Sequence, residues 1–333
     1  MSIERWIESH PTGLYVRPID MWIDPSVPKA NVLVTHGHAD HARSGHERVW
    51  ATPETLAIMA LRYGAAETTT PVRFGENFRQ KGVRVSFHPA GHVLGSAQIL
   101  LEHAGERVVV TGDYKRRFDP TCAGFEVVPC DILITEATFG LPVFRHPPTS
   151  GEIAKLLQMR DGNPDRCVLV GAYALGKAQR VIAEIRRAGD RSPVYLHGAL
   201  QAMCGLYESF GVELGDLRAA TTAKREDMRG AIVLAPPSAM NGAWSRRLPK
   251  PVTAMASGWM RVRQRARQRN VELPLVISDH ADWDELTATI CEVNPAETWV
   301  THGRADALVR WCALNQRTAR ALDLLGRDDE DED

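Results

Sequence analysis

The sequence predicts an α/β protein built as two units, the second set into the first. Three observations carry this expectation. Short apolar runs at residues 32–34, 108–110, 132–134 and 299–300 are each followed within a few residues by histidine, aspartate or glutamate. Buried strands that deliver side chains to one end of a sheet read this way. Between Cys167 and Leu234, apolar runs alternate with segments of helical spacing, the pattern of a parallel layer. A proline-rich stretch, with Pro142, Pro147 and Pro148, separates the two patterns, and the first returns at Leu275-Val276-Ile277. At 333 residues the chain can bury enough apolar surface for both units.

Taken in order, Met21-Trp22-Ile23-Asp24-Pro25 reads as a strand that stops at an Asp-Pro turn. Asp24 serves there either to orient a ligand histidine or as simple turn chemistry. Val32-Leu33-Val34 leads into Thr35-His36-Gly37-His38-Ala39-Asp40-His41. Residues 53–63 have helical spacing with an early acid, and 83–87 form a strand. In Pro89-Ala90-Gly91-His92-Val93-Leu94-Gly95-Ser96-Ala97, small residues permit close backbone approach and His92 is suited to ligate metal. The run at 108–110 delivers Asp113, the run at 132–134 delivers Glu136, Leu275-Val276-Ile277 delivers His280, and the run at 299–300 delivers His302. In the second unit, 167–170, 194–196 and 232–234 are expected strands, and 178–187 and 200–210 expected helices. The expected boundaries are 1–142 and 273–325 for the first unit, 143–272 for the second, and 326–333 as an acidic disordered tail.

Composition narrows the function classes. Lys and Arg number 40 against 41 acids, but the tail from Asp328 to Asp333 holds six of those acids. The rest therefore carries 40 bases against 35 acids, so a nucleic-acid surface would be local rather than global. The six cysteines are scattered without a CxxC pair, which reads as free thiols in a reducing compartment. The opening residues MSIERWIESH show no signal-peptide pattern, and no apolar run approaches membrane-spanning length. The expectation is a cytoplasmic protein with no membrane partner.

Two histidines one residue apart in an extended loop point the same way, so both imidazoles of His36 and His38 can reach one metal. Asp40 and His41 then bring a carboxylate and a third imidazole to a second position. A solvated histidine-rich turn would have no matching ligands downstream; here His92, Asp113 and His302 follow, each beside a strand. Imidazole with carboxylate suits zinc, and manganese or iron less well. The seven candidates divide into His36, His38 and His92 on one ion and Asp40, His41 and His302 on the other, with Asp113 between them. Two cations would lower the pKa of a water held between them, giving a nucleophile at neutral pH.

With these residues in place, the chain resembles the metallo-β-lactamase superfamily, and more narrowly its β-CASP branch of nucleases. The resemblance runs from about Leu14 to about Leu325. Residues 35–41, His92 and Asp113 match the superfamily's ligand motifs. Glu136 in Thr-Glu-Ala-Thr-Phe-Gly, His280 in Ser-Asp-His-Ala-Asp and His302 in Thr-His-Gly are similar to the branch's own marks. Residues 172–179 resemble the opening of that branch's inserted domain. The wording Ile23-Asp24-Pro25, His92-Val93-Leu94-Gly95-Ser96 and Ser257-Gly258-Trp259-Met260 looks like bacterial DNA-ligase-associated exonucleases. The resemblance implies an αββα sandwich of the metallo-β-lactamase type with an inserted β-CASP α/β domain. It further implies a two-zinc nuclease that processes DNA ends in repair by hydroxide attack on the phosphodiester, with an ATP-dependent DNA ligase as partner. Asp40, Glu136 and His280 are the catalytic set, His280 donating a proton and Glu136 holding it. An RNA-processing nuclease of the same branch is the alternative, since His302 supports two-metal binding without deciding the nucleic acid. A small-molecule hydrolase needs neither the second unit nor the Glu136 and His280 pair. A silent scaffold would not keep all seven ligands.

The substrate track is read from weaker signals. Lys177 and Arg180 lie on a helix start where free amides favour phosphate. Ser238 follows the strand at 232–234. Arg261, Arg263, Arg265, Arg267 and Arg269 occupy every second position; on an extended segment they would form one basic edge, on a helix they would spread around it. Arg263 and Arg265 are the chosen contacts, and a solvated face is the plainer use of such a run. His197, at a strand end of the second unit, is the one unassigned histidine singled out.

Overall fold

The computed structural model describes residues 6–269, 271–322 and 324; the expected acidic tail, 326–333, lies outside them. The described chain divides into two compact units, one running to Arg145 and resuming at His280, the other His146–Asp279.

The first unit opens with β1 (Ile7–His10), β2 (Gly13–Val16), β3 (Met21–Ile23), β4 (Asn31–Leu33) and β5 (Arg48–Ala51), then α1 (Pro53–Tyr63) and β6 (Thr68–Pro71). These strands form one sheet in chain order, antiparallel through β3 and parallel from there. Helix α1 starts where the sequence tells it to: Thr52 caps it by accepting from the Thr55 amide, Pro53 and Glu54 occupy the first turn, and Gly64 ends it. Next come β7 (Asn77–Gln80), β8 (Val83–Pro89), β9 (Ala97–His103), β10 (Glu106–Val110) and β11 (Ile132–Ala137).

The second unit consists of α2 (Thr149–Asp161), β12 (Val168–Gly171), α3 (Lys177–Arg187), β13 (Val194–Leu196), α4 (Gly198–Ser209), β14 (Leu217–Ala219), β15 (Ile232–Ala235), β16 (Val252–Ala256), α5 (Arg263–Gln268) and β17 (Leu273–Leu275). Its strands make one parallel sheet in the order β14-β13-β15-β12-β16-β17. Strands buried on both faces read as unbroken apolar runs, and Val168, Leu169 and Val170 are one.

The first unit closes with α6 (Trp283–Val293), β18 (Glu297–Gly303), α7 (Ala305–Leu314) and β19 (Ala319–Ala321). Helix α6 carries a capping box between Asp282 and Glu285, and Asn294 in the left-handed region stops it. The second sheet of this unit has the order β19-β18-β11-β10-β9-β8-β7. The two sheets share one core: Leu14, Ile23 and Leu33 of the first meet Phe87, Ile99, Val108, Ile134 and Trp299 of the second. Outside the first sheet, Met59 and Leu56 of α1 cover Val32, Val49 and Ala51. Outside the second, Leu286, Ile290, Leu308 and Cys312 cover Leu100, Val109, Leu133 and Val300. The layers of this unit therefore run helix, sheet, sheet, helix. No helix among the described residues is long and apolar enough to cross a membrane. All six cysteines are free thiols.

Candidate metal centre

Within the first unit, the ends of β4, β10, β11 and β18 and the loop after β8 bring the ligand candidates together. His36, His38, His92 and Asp113 have donor atoms within 4.8 Å of one another, and so do His36, Asp40 and His41, and His41, Asp113 and His302. Asp113 belongs to the first and the third of these groups. One of its oxygens lies 3.3 Å from His36 Nε2, 3.5 Å from His41 Nε2 and 3.8 Å from His92 Nε2, and the other 3.0 Å from His302 Nε2. His92 Nε2 meets His38 Nδ1 at 2.9 Å. Asp40 Oδ2 stands 3.2 Å from His41 Nε2.

Hydroxyls and a carboxylate behind the histidines set which ring nitrogen faces the centre. Asp24 accepts from the Thr35 amide at 2.8 Å and from the Thr35 hydroxyl at 2.5 Å. Having given its proton to Asp24, the Thr35 oxygen accepts from His36 Nδ1 at 3.1 Å, which leaves His36 Nε2 as the lone-pair nitrogen. Asp24 also takes the proton of His41 Nδ1 at 2.8 Å, again leaving Nε2 inward. At the far end, the Thr301 hydroxyl donates to the Thr135 carbonyl at 3.3 Å and accepts from His302 Nδ1 at 2.8 Å, with the same consequence. The sequence pointed to Asp24 but not to the threonines. The signal was there: Thr35, Thr135 and Thr301 each directly precede a candidate residue.

Close approach needs glycine at two positions. Gly112 has φ +56°, and a Cβ there would stand 2.7 Å from the Thr35 side chain. Gly303 has φ +81°, and a Cβ would meet the Ala137 carbonyl oxygen at 2.2 Å. Two basic residues unremarked in the sequence steady the loops. Arg62 donates to the Gly37 carbonyl at 2.8 Å, and buried Lys115 donates to the His92 carbonyl at 3.3 Å while paired with Asp119 at 2.6 Å.

The donor set fits a metal. His36 Nε2 is buried with no hydrogen-bond partner, an orphaned atom of the kind that costs stability unless something binds it. Burial, then the charge of His41, pushes His36 down to about 4. Burial, then His280, lowers His92 well below the ordinary imidazole range. Both rings are therefore neutral near pH 7, the state a ligand needs. Burial alone would raise the carboxyls of Asp113 and Asp40; the charge of His41, joined at Asp113 by His302, overrides it and holds both below the usual range.

Beside this cluster, His280 Nδ1 lies 3.1 and 3.2 Å from the two Glu136 oxygens. Glu136 is fully buried and also accepts from the Tyr114 amide at 2.8 Å. A carboxylate so held keeps the Nδ1 proton of His280 toward itself and turns Nε2 away. Asp282 caps α6 and pairs with Arg117.

The expected substrate residues all lie in the second unit, in the segments that follow the neighbouring parallel strands β12, β15 and β16. Lys177 and Arg180 are buried and share one carboxylate, Asp279, at 2.8 and 3.0 Å. Arg180 also donates to the Ser278 carbonyl and to the Thr149 hydroxyl, the latter at 2.9 Å. Ser238 is exposed in a 3-10 turn. Arg263, Arg265 and Arg267 of the arginine run lie on the helix α5, so they spread around its axis instead of forming one edge. Arg263 is exposed, and Arg265 lies 3.9 Å over the Trp259 ring.

Comparison with known proteins places this geometry among relatives. No family model matches the chain. It is 31% identical over 306 residues to a protein named probable DNA ligase from Opitutus terrae, covering 90% of this chain and 29% of that one. It is 27% identical over 250 residues to cleavage and polyadenylation specificity factor subunit 3 of Dictyostelium discoideum, 60% of this chain and 32% of that one. It is 33% identical over 144 residues to endoribonuclease ysh1 of Aspergillus fumigatus, 40% of this chain and 16% of that one. The chain spans well under half the length of each of these relatives. Among solved structures, a protein of unknown function from Enterococcus faecalis V583 matches with a TM-score of 0.59 at 14% identity, over 87% of this chain and 78% of that one. That likeness is one of fold.

Proposed function

We propose, from the resemblance to the β-CASP branch of the metallo-β-lactamase nucleases that these relatives bear out, that this chain is a metal-dependent phosphodiesterase trimming DNA ends. The observation that carries the reading is the single carboxylate, Asp113, reached by four histidines, with the Glu136 and His280 pair beside it. In this reading the second unit, His146–Asp279, is the branch's inserted domain and supplies no metal ligand. His36, His38 and His92 hold one zinc ion, Asp40, His41 and His302 a second, and Asp113 both, with manganese as the alternative metal. Bound there, the metals would supply an activated water and neutralise charge on the phosphoryl oxygens. Asp24, Thr35 and Thr301 keep the ligand rings aimed. Glu136 holds the His280 Nδ1 proton so that Nε2 delivers a proton to the departing oxygen.

The DNA reading is supported by the relative named probable DNA ligase, which matches along 90% of this chain; a ligase that seals trimmed ends is the partner proposed. The relatives named endoribonuclease and polyadenylation factor favour RNA as a second reading. The test is to incubate metal-loaded protein with end-labelled DNA and RNA of matched sequence, single- and double-stranded. Cleavage of DNA with RNA untouched supports the reading; cleavage of RNA alone overturns it in favour of the second.

For holding substrate, Arg263 and Ser238 are exposed to solvent, and Arg265 extends from an aromatic stack. Lys177 and Arg180 bring two cations to one carboxylate, so they contribute field rather than free donors. Replacing Arg263, Arg265 and Arg267 with alanine is expected to weaken binding to every DNA sequence and to flatten its salt dependence, since fewer counterions are released. A titration of metal-free protein against labelled single-stranded DNA at several salt concentrations checks this. Equal slopes for wild type and variant would make the run a solvated face.

A further inference from the structure

The second unit carries a pocket that the metal centre does not use. All six strands of its sheet run the same way, so their C-terminal ends share one edge. Open α/β sheets take ligands outside that edge. Directly past β13 stands His197, directly past β14 stand Ala220 and Thr221, and a cavity of about 190 Å³ opens there. Met228 and Leu248 are buried and give it an apolar floor. Trp244 lines it, with the His197 ring set edge-on at 4.6 Å and 88°. His197 is itself fixed, because its Nδ1 accepts the Ala199 amide hydrogen at 3.2 Å. A 3-10 turn, in which the Arg247 amide donates to the Trp244 carbonyl at 3.0 Å, ties Arg247 to the indole.

The charge of this pocket is unmatched. Arg225 and Arg247 both line it, and no carboxylate does. Neither guanidinium makes a hydrogen bond or ion pair among the described residues, whereas Arg166, Arg187 and Arg218 of the same unit each have a carboxylate partner. Two unmatched guanidiniums disfavour an apolar or cationic occupant and suit a phosphate, which they bind through paired N–H donors. The indole and the apolar floor suit a flat ring, since bases stack on aromatic side chains whatever their sequence. Inorganic phosphate would use only half of this lining.

We propose that the pocket binds a nucleoside phosphate, its base against Trp244 and its phosphate between Arg225 and Arg247, with the Thr221 hydroxyl as a further donor. The same chemistry is offered by a free mononucleotide and by the phosphorylated end of a strand. The proposal goes beyond the phosphodiesterase reading and does not need it: a protein that cuts nothing would keep this pocket.

The experiment is calorimetric titration of the metal-loaded full chain with dAMP, with deoxyadenosine, and with a nuclease-resistant oligonucleotide bearing a 5′-phosphate or a 5′-hydroxyl. Saturable binding of dAMP, weaker binding of deoxyadenosine, and a loss of at least about tenfold in the Arg225→Ala, Arg247→Ala double variant are expected, the scale of losing charge-assisted hydrogen bonds. Both residues are exposed, and an unchanged melting temperature and metal content in the variant show that the fold is kept. Tighter binding of the 5′-phosphorylated strand than of dAMP assigns the site to strand ends, and the reverse assigns it to free nucleotide. Three results overturn the proposal: no saturable binding, equal affinity for dAMP and deoxyadenosine, or undiminished affinity in the double variant, which would move the nucleotide to the metal centre.

Discussion

Asp113→Ala protein is expected to leave purification with most of its metal gone, and the wild type with close to two ions per chain. Asp113 offers both carboxylate oxygens, one 3.3 Å from His36 Nε2 and the other 3.0 Å from His302 Nε2. Losing a carboxylate that touches both ions damages both sites at once, whereas losing a single histidine removes one ligand from one site. The variant also removes the negative charge around which His36, His41, His92 and His302 are packed. Elemental analysis of wild type, Asp113→Ala and His302→Ala, purified alike, makes the comparison. His302→Ala should keep the ion held by His36, His38 and His92. Full metal occupancy in Asp113→Ala would end the bridging assignment.

What the sequence made legible was local in the chain. Apolar runs such as Val108-Val109-Val110 are read from a handful of neighbouring residues, and the candidate ligand that follows comes within three positions. Helix α1 was legible for the same reason, because Thr52, Pro53 and Glu54 specify its start and Gly64 its end. What was not legible depends on partners far apart. Lys177 and Arg180 read as phosphate donors at a helix start, yet Asp279, 99 residues beyond Arg180, occupies both. No spacing rule ties a basic residue to an acid at that distance. Arg62 behind Gly37 and Lys115 behind His92 were missed alike, since surface charge is the ordinary fate of such residues and burial cannot be read from one side chain. The arginine run failed differently. Alternation alone fits a strand edge or a helix, and residues 263–268 are helical, so the apparent edge dissolves. The threonines before the ligands are short-range and were legible in principle, but their role appears only once Asp24 is seen to take the Thr35 proton.

His280→Ala is expected to hold its full metal content while cleaving DNA at least about a hundredfold more slowly, the usual scale for losing a general acid. The separation between metal binding and rate is what gives this variant its force. His280 Nδ1 is turned to Glu136, at 3.1 Å, and stands 4.0 Å from the nearest Asp113 oxygen. A ring whose Nδ1 proton is kept by a buried carboxylate presents only Nε2, and in the proposed reading Nε2 serves the departing oxygen. The geometry also permits a rival. Asp113, Glu136 and His280 have donor atoms within 4.8 Å of one another, enough to hold an ion between them. If that rival is right, His280→Ala loses metal along with activity, and the assignment of His302 to the second ion falls with it. Glu136→Gln adds an independent check, because a neutral amide still reaches His280 but holds its Nδ1 proton less strongly than a carboxylate does. Under the general-acid reading, Glu136→Gln keeps its metal and slows cleavage. Metal lost from both variants would make the pair ligands; metal kept with wild-type rates in both would leave the departing oxygen to take its proton from solvent.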